Sequence, residues 1–143
     1  MGRVNKQWDG INNQGATIAA EGTSVGNWLD FSRVTSALSL IYYDPAGVST
    51  SQDISYEIGY VRKGVTVKNH DDPTELDAKV NAVLPADAGA IGANVDLNAA
   101  SNNAVHDTLT LPAGIYFRFT WQNDSGMGDA TPHLYIMAEV SQR

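Results

Sequence analysis

Three imidazoles, His70, His106 and His133, and no thiol make up the soft-metal chemistry available to this chain. A zinc site needs several nitrogen, sulfur or oxygen donors at short spacings such as His-x-x-x-His. None of the three histidines has a second histidine or a carboxylate at such a spacing, so each reads as an ordinary loop residue and no metal ligand set is assigned. His106 and Asp107 are adjacent and serines are abundant, so a Ser/His/Asp set can be written down. Its members are scattered, and scattered members without shared geometry define no nucleophile. Glu57 and Glu139 can be nominated as paired carboxylates for glycoside hydrolysis, but nothing in the sequence makes the two meet. No catalytic residue and no cofactor is expected.

The run Asn123-Asp-Ser-Gly-Met-Gly-Asp129 collects two carboxylates and an amide around two glycines, the oxygen-rich make-up of a calcium loop. It lacks the spacing and the closing glutamate of an EF-hand, and the tip of a hairpin needs the same glycines for its turns. Asp124 and Asp129 stand as the candidates for a cation. Asp71-Asp72 offers a similar pair, which helix capping explains. The aromatics Trp8, Tyr43, Tyr60, Tyr116 and Tyr135 are more informative. Tyrosine and tryptophan either stack on sugar rings or anchor protein interfaces. Val4, Trp8, Ile11, Tyr116 and Tyr135 form the expected partner-binding set.

Strands must position these side chains. In Ile115 to Trp121, Ile115, Phe117, Phe119 and Trp121 share one face, while Tyr116, Arg118 and Thr120 share the other, which is the two-residue period of a half-buried strand. Leu134 to Val140 repeats it, with Leu134, Ile136, Ala138 and Val140 inward. The two predict a C-terminal hairpin with a long tip. Ala37 to Tyr43 and Ile54 to Arg62 predict a second hairpin-like pair across Asp44-Pro-Ala-Gly47, and weaker strands are expected at Ala16 to Ala20, Asn27 to Phe31 and Val65 to Lys68. Asp72-Pro-Thr-Glu75 supplies an N-cap, a first-turn proline and a first-turn acid. Leu76, Val80, Val83 and Leu84 follow at helical spacing, so a helix is predicted from Pro73 to Leu84. Residues 86–104, rich in Ala, Gly and Asn, read as a surface connection with a brief strand at Ala93 to Leu97.

At 143 residues the chain suits a single core. The expectation is an all-β, single-domain antiparallel β-sandwich, jelly-roll-like, with one short helix, spanning residues 16–143 behind an extended N-terminal arm of residues 1–15. Only 17% of residues are charged, with a net charge of −7, against about 25% in an average globular protein. The acidic balance repels a phosphate backbone and an anionic membrane alike, so neither nucleic acid nor membrane is an expected partner. The arm has no apolar core of the kind a secretion signal carries.

The polar arm, the cysteine-free sandwich, and the phrases Leu111-Pro-Ala-Gly-Ile-Tyr-Phe-Arg-Phe119 and Leu134-Tyr-Ile-Met-Ala-Glu-Val140 resemble tailed-bacteriophage virion proteins of the capsid decoration or cement type. The resemblance implies a non-enzymatic homo-oligomer, a trimer, assembled in the host cytoplasm and seated on the outer capsid surface of the virion. There it would bind the major capsid protein and stabilise contacts between neighbouring subunits. The arm, anchored by Val4, Trp8 and Ile11, is expected to grip that partner. The alternative is a carbohydrate-binding or receptor-binding sandwich of a fibre or tail, drawing on the same aromatics.

Overall fold

Alternating apolar and polar residues give strands that bury one face each, and in the computed structural model these strands build two antiparallel sheets. The structure describes residues 2–45, 52–82, 89–95, 105–109, 116–123 and 128–142. Along the chain run β1 (Arg3–Asp9), β2 (Thr23–Val25), β3 (Leu29–Asp30), β4 (Leu38–Tyr43), β5 (Gln52–Val61), α1 (Pro73–Lys79), β6 (Val80–Ala82), β7 (Gly89–Val95), β8 (Val105–Leu109), β9 (Tyr116–Asn123) and β10 (His133–Ser141). One sheet has the order β1-β10-β4-β8; the other has β2-β9-β5-β6, with β3 also on β9 and β7 also on β5. First and last strands lie side by side, and β4, β5, β8, β9 and β10 change sheet in turn. That is jelly-roll topology, as expected.

The two expected hairpins do not form. β9 pairs with β2, β3 and β5, whereas β10 pairs with β1 and β4, so the two strands face each other across the core. β4 and β5 are likewise split between the sheets. Two amphipathic strands can bury their apolar faces side by side or face to face, and the period of the sequence is the same in both. The inward rows themselves are as expected: Phe117, Phe119 and Trp121 from one sheet meet Leu134, Ile136, Ala138 and Val140 from the other, all buried. Ile115 lies outside the described residues.

The free N-terminal arm is replaced by an edge strand. β1 pairs with β10 in continuous register from Arg3↔Ser141 to Asp9↔Tyr135. Trp8 and Ile11 are 8% and 2% exposed and belong to the main core cluster, where Trp8 meets Phe31 edge-on at 4.9 Å. The polar spacing around Trp8 belongs to an edge strand, which exposes all but one or two of its side chains. Of the weaker strands, Asn27 to Phe31 contracts to β3, Ala16 to Ala20 to a single bridge between Ile18 and Ala130, and residues 65–68 are loop. β7 takes the place of the Ala93 to Leu97 strand up to Val95.

The helix is capped as expected, with Asp72 accepting from the Thr74 N–H at 3.0 Å, but it ends at Lys79. From Val80 the backbone is extended and pairs with β5 as β6. The edge of β5 offers hydrogen bonds, and Val80 is buried in its extended conformation there, so helical periodicity does not hold the chain. Val83 and Leu84 lie outside the described residues. A second apolar layer of Trp28, Leu76, Val80 and Tyr116 covers the outer face of the β9/β5 sheet. Gly59 makes this possible, since a Cβ there would stand 2.4 Å from Val80 and 2.7 Å from Trp28.

One polar network is built into the core. Trp121 Nε1 donates to Gln52 Oε1 at 2.5 Å, Gln52 Nε2 donates to Asn123 Oδ1 at 3.2 Å, and Asn123 Nδ2 reaches the carbonyls of Ile18, Ala19 and Gly128. Both amides are fully buried, and a buried amide keeps its place only when it is hydrogen-bonded. Trp8→Ala is expected to cost about 3–5 kcal/mol of unfolding free energy in urea titration. A dispensable arm would leave the midpoint unchanged.

Candidate functional site

Side chains at odd positions of β1 and β10 point away from the core, and antiparallel register aligns them with their neighbours on β4 and β8. Asp9, Tyr135, Ile41 and His106 fall in one row, and Gln7, Met137, Ser39 and Thr108 in the next. Asn5 and Glu139 follow, and Tyr43 sits opposite His133 at the other end. No helix lies on this face among the described residues. Ile41, Tyr43, Tyr135 and Met137 are half-buried, whereas Asn5, Gln7, Asp9, His106 and Thr108 are exposed. A shallow depression of about 560 Å³, lined by Gln7, Ser36, Ser39, His106, Met137 and Glu139, crosses it.

Tyr43 and His133 stack with ring centroids 4.7 Å apart and planes 7° from parallel. Tyr135 joins them, its ring 6.0 Å from His133 and its hydroxyl 3.2 Å from His133 Nδ1. Gly15, at φ +78°, lets the chain pass over the histidine, since a Cβ there would meet Nε2 at 3.0 Å. Burial, then the nearby Tyr43, pushes the Tyr135 phenol above its ordinary value of 10.0, so it stays protonated as a hydrogen-bonding group.

The expected partner-binding residues divide. Tyr135 lies on this open face. Val4 is 42% exposed on β1, while Trp8 and Ile11 are in the core and Tyr116, 8% exposed, is sealed beneath the helix layer. The latter three are spent on packing and are not presented to a partner. Burial and the charge of Asp30 raise the Tyr116 phenol pKa. Tyr60 is exposed alone at the end of β5. Asp124 lies outside the described residues, Asp129 is exposed, and Asn123 is used by the core network. Ile41 and Met137, absent from the expected set, are the apolar centre of the face. Their signal was the outward phase of the very alternation that identified the core.

The catalytic pairings that the sequence permits do not assemble. Glu57 and Glu139 belong to opposite sheets, each held by an arginine, Arg118 and Arg3 respectively. Arg118 also lies over Trp28, 4.6 Å from the ring centroid. His106 and Asp107 are successive positions of β8. Gly22-Thr-Ser-Val-Gly26 does have the Gly-x-Ser-x-Gly spacing of a nucleophile elbow. Its central residues form β2 against β9 rather than a strand-to-helix turn. Gly26 is there for a close approach, because a Cβ would meet the Gly10 carbonyl at 2.3 Å.

A smaller cleft of about 210 Å³ lies at the open side of the sandwich, between Lys6, Trp8, Asp30, Arg33 and the 68–71 loop. Several of its polar side chains engage one another: Lys6 Nζ lies 2.6 Å from Asp71 and His70 Nδ1 lies 2.5 Å from Asp30. No group of three or more metal-capable side chains occurs among the described residues. The loop is tied down by Glu75, whose carboxylate accepts from the Lys68 and Asn69 N–H groups and from Lys79 Nζ.

No protein-family model matches this chain, and no curated protein matches it. The arrangement of surfaces therefore carries the functional reading.

The Lys68 N–H, the Lys79 ammonium and the Asn69 N–H hold the Glu75 carboxyl at about 2, below its ordinary 4.5. A carboxylate depressed on folding stabilises the fold above its unfolded value and loses that contribution as pH falls through its folded one. Stability is expected to decline between pH 4.5 and about 2, and Glu75→Gln to flatten that part of the profile. An unchanged acid limb in the variant would show that Glu75 does not close the loop.

Proposed function

We propose that this is a non-enzymatic assembly protein that docks onto another protein through the outer face of the β1-β10-β4-β8 sheet. The observation that carries the reading is the asymmetry of the two outer faces. One is closed by the protein's own helix, Trp28 and Tyr116. The other leaves Ile41, Met137, Tyr43 and Tyr135 half-exposed within a frame of Asn5, Gln7, Ser39 and Thr108. An apolar and aromatic centre with a polar rim, in which the charges are Asp9 and the Arg3–Glu139 pair, is the make-up of a protein interface. The sequence resemblance supplies the setting: decoration of a phage capsid, with the major capsid protein as partner. A net charge of −7 favours a basic patch on that partner.

The carbohydrate reading draws on the same tyrosines, but the geometry gives it less support. A sugar ring stacks on an exposed aromatic face, and in the Tyr43–His133 pair one face of each ring is already spent on the other.

Co-sedimentation with purified capsids of the encoding phage tests the proposal. Met137→Asp and Tyr135→Ala are expected to lower affinity at least about tenfold each, while Tyr60→Ala binds as the parent does. Capsid binding untouched by Met137→Asp would remove this face from the interface. Glycan-array binding lost on Tyr43→Ala and Tyr135→Ala, without capsid binding, would establish the carbohydrate reading instead.

A further inference from the structure

β1 is an edge strand, and its free side is unusually regular. The bonds Gly10 N–H to the Leu134 carbonyl and Gln142 N–H to the Gly2 carbonyl fix the phase of the ladder. Even-numbered residues of β1 hydrogen-bond to β10, so the N–H and C=O groups of Arg3, Asn5, Gln7 and Asp9 point to the free edge. None of these backbone groups has a partner among the described residues. The strand contains no proline, and its register against β10 runs without a bulge. Other edges are shorter or broken: β2, β3 and β6 have two or three residues, β8 has five, and β7 pairs with β5 across a register shift. An unguarded edge of this length is a template for another strand.

We infer that the occupant of this edge is β1 of a second copy, paired antiparallel about a two-fold axis at Lys6. Antiparallel hydrogen-bonded pairs must join residues whose backbone groups face each other. Full overlap of the seven residues of β1 pairs Arg3 with the second copy's Asp9 and Asn5 with its Gln7, and the two-fold repeats both. All four residues are those with free backbone groups, so the strand's ladder phase and its length select the same register. That register is also the one that matches charge, since it sets two arginine–aspartate pairs at the ends and two amide pairs between them. It places Val4, whose position belongs to the core-facing side yet is 42% exposed, opposite the second copy's Trp8.

A lysine in the middle of an edge normally guards it. Here Lys6 is drawn aside, its ammonium 2.6 Å from Asp71 and 5.3 Å from the centre of the Trp8 ring. The two lysines therefore meet at the axis with their charges already matched. The product is one continuous sheet, β8-β4-β10-β1 joined to its own copy, which merges two open faces into a single docking surface. A two-fold contact of this kind closes on itself and yields a dimer, in place of the trimer that the sequence resemblance implies. The pairing stands independently of what the open face binds.

The test uses the full chain, which has no cysteine of its own. Sedimentation equilibrium is expected to give a dimer at about 100 μM. Gln7→Pro removes one edge-facing N–H without touching the ladder to β10 and is expected to give a folded monomer by circular dichroism. Lys6→Cys sits on the axis in a non-hydrogen-bonded pair, where Cα atoms approach to about 4.5 Å, within reach of a disulfide. Mild oxidation is expected to crosslink Lys6→Cys and to leave Val4→Cys uncrosslinked. A monomeric or trimeric parent, a dimer that survives in folded Gln7→Pro, or crosslinking of Val4→Cys as fast as Lys6→Cys would each overturn the pairing. If Gln7→Pro fails to fold, the two cysteine variants decide.

Discussion

Rings from opposite sheets hold this sandwich together. Trp121 of β9 meets Tyr42 of β4 edge to face at 6.1 Å, and Trp8 of β1 meets Phe31, beside β3, in the same way at 4.9 Å. Edge-on packing gains from the quadrupoles of the rings as well as from burial. Because these contacts join β1 and β4 to the sheet of β9, they require the last two strands to cross the core. The Trp121–Gln52–Asn123 network holds Trp121 in place within its own sheet, since a misplaced indole would leave the buried Gln52 carbonyl oxygen without its donor.

The seam consumes one face of each sheet, and what happens to the other faces differs. α1 and Trp28 close the face built on β5 and β9, with Gly59 giving the clearance. The face built on β4 and β10 receives no such cover from the described residues. The short helix therefore has an indirect part in the proposed function, because by sealing one side it determines which side is available. Charge follows the same division. Glu57 with Arg118, Lys6 with Asp71 and Glu75 with Lys79 serve the covered side and the open rim of the sandwich, while on the exposed face Arg3 and Glu139 offset each other and Asp9 stands at the edge. A face with few unpaired charges loses less solvation when it is buried against a partner.

Edge and face belong to the same sheet, which links the proposed pairing to the proposed docking. β1 contributes its outward side chains Asn5, Gln7 and Asp9 to the face, while the backbone of those same residues forms the free edge. Edge pairing leaves the side chains of the face unobstructed, because backbone hydrogen bonds lie in the plane of the sheet and side chains stand perpendicular to it.

The sequence alone determined that the residues of β4, β5, β9 and β10 would be strand and which faces of β9 and β10 would be buried, since a period of two is local and survives any topology. It determined the helix start at Asp72-Pro73 for the same reason: capping involves neighbours in the chain. Pairing was not legible. β9 and β10 read as a hairpin although they lie in different sheets, because an apolar row does not say whether its complement lies beside it or across from it. The end of the helix at Lys79 and the recruitment of Val80 to β6 were decided by the edge of β5, a neighbour far away in sequence. The site divides in the same way. Tyr135 was visible as an outward aromatic, whereas Trp8, Ile11 and Tyr116 read equally well as contacts until the core and the helix layer covered them. Alternation is a property of the strand, but exposure is a property of whatever is packed against it, and that is settled only when the sheets and the helix are in place.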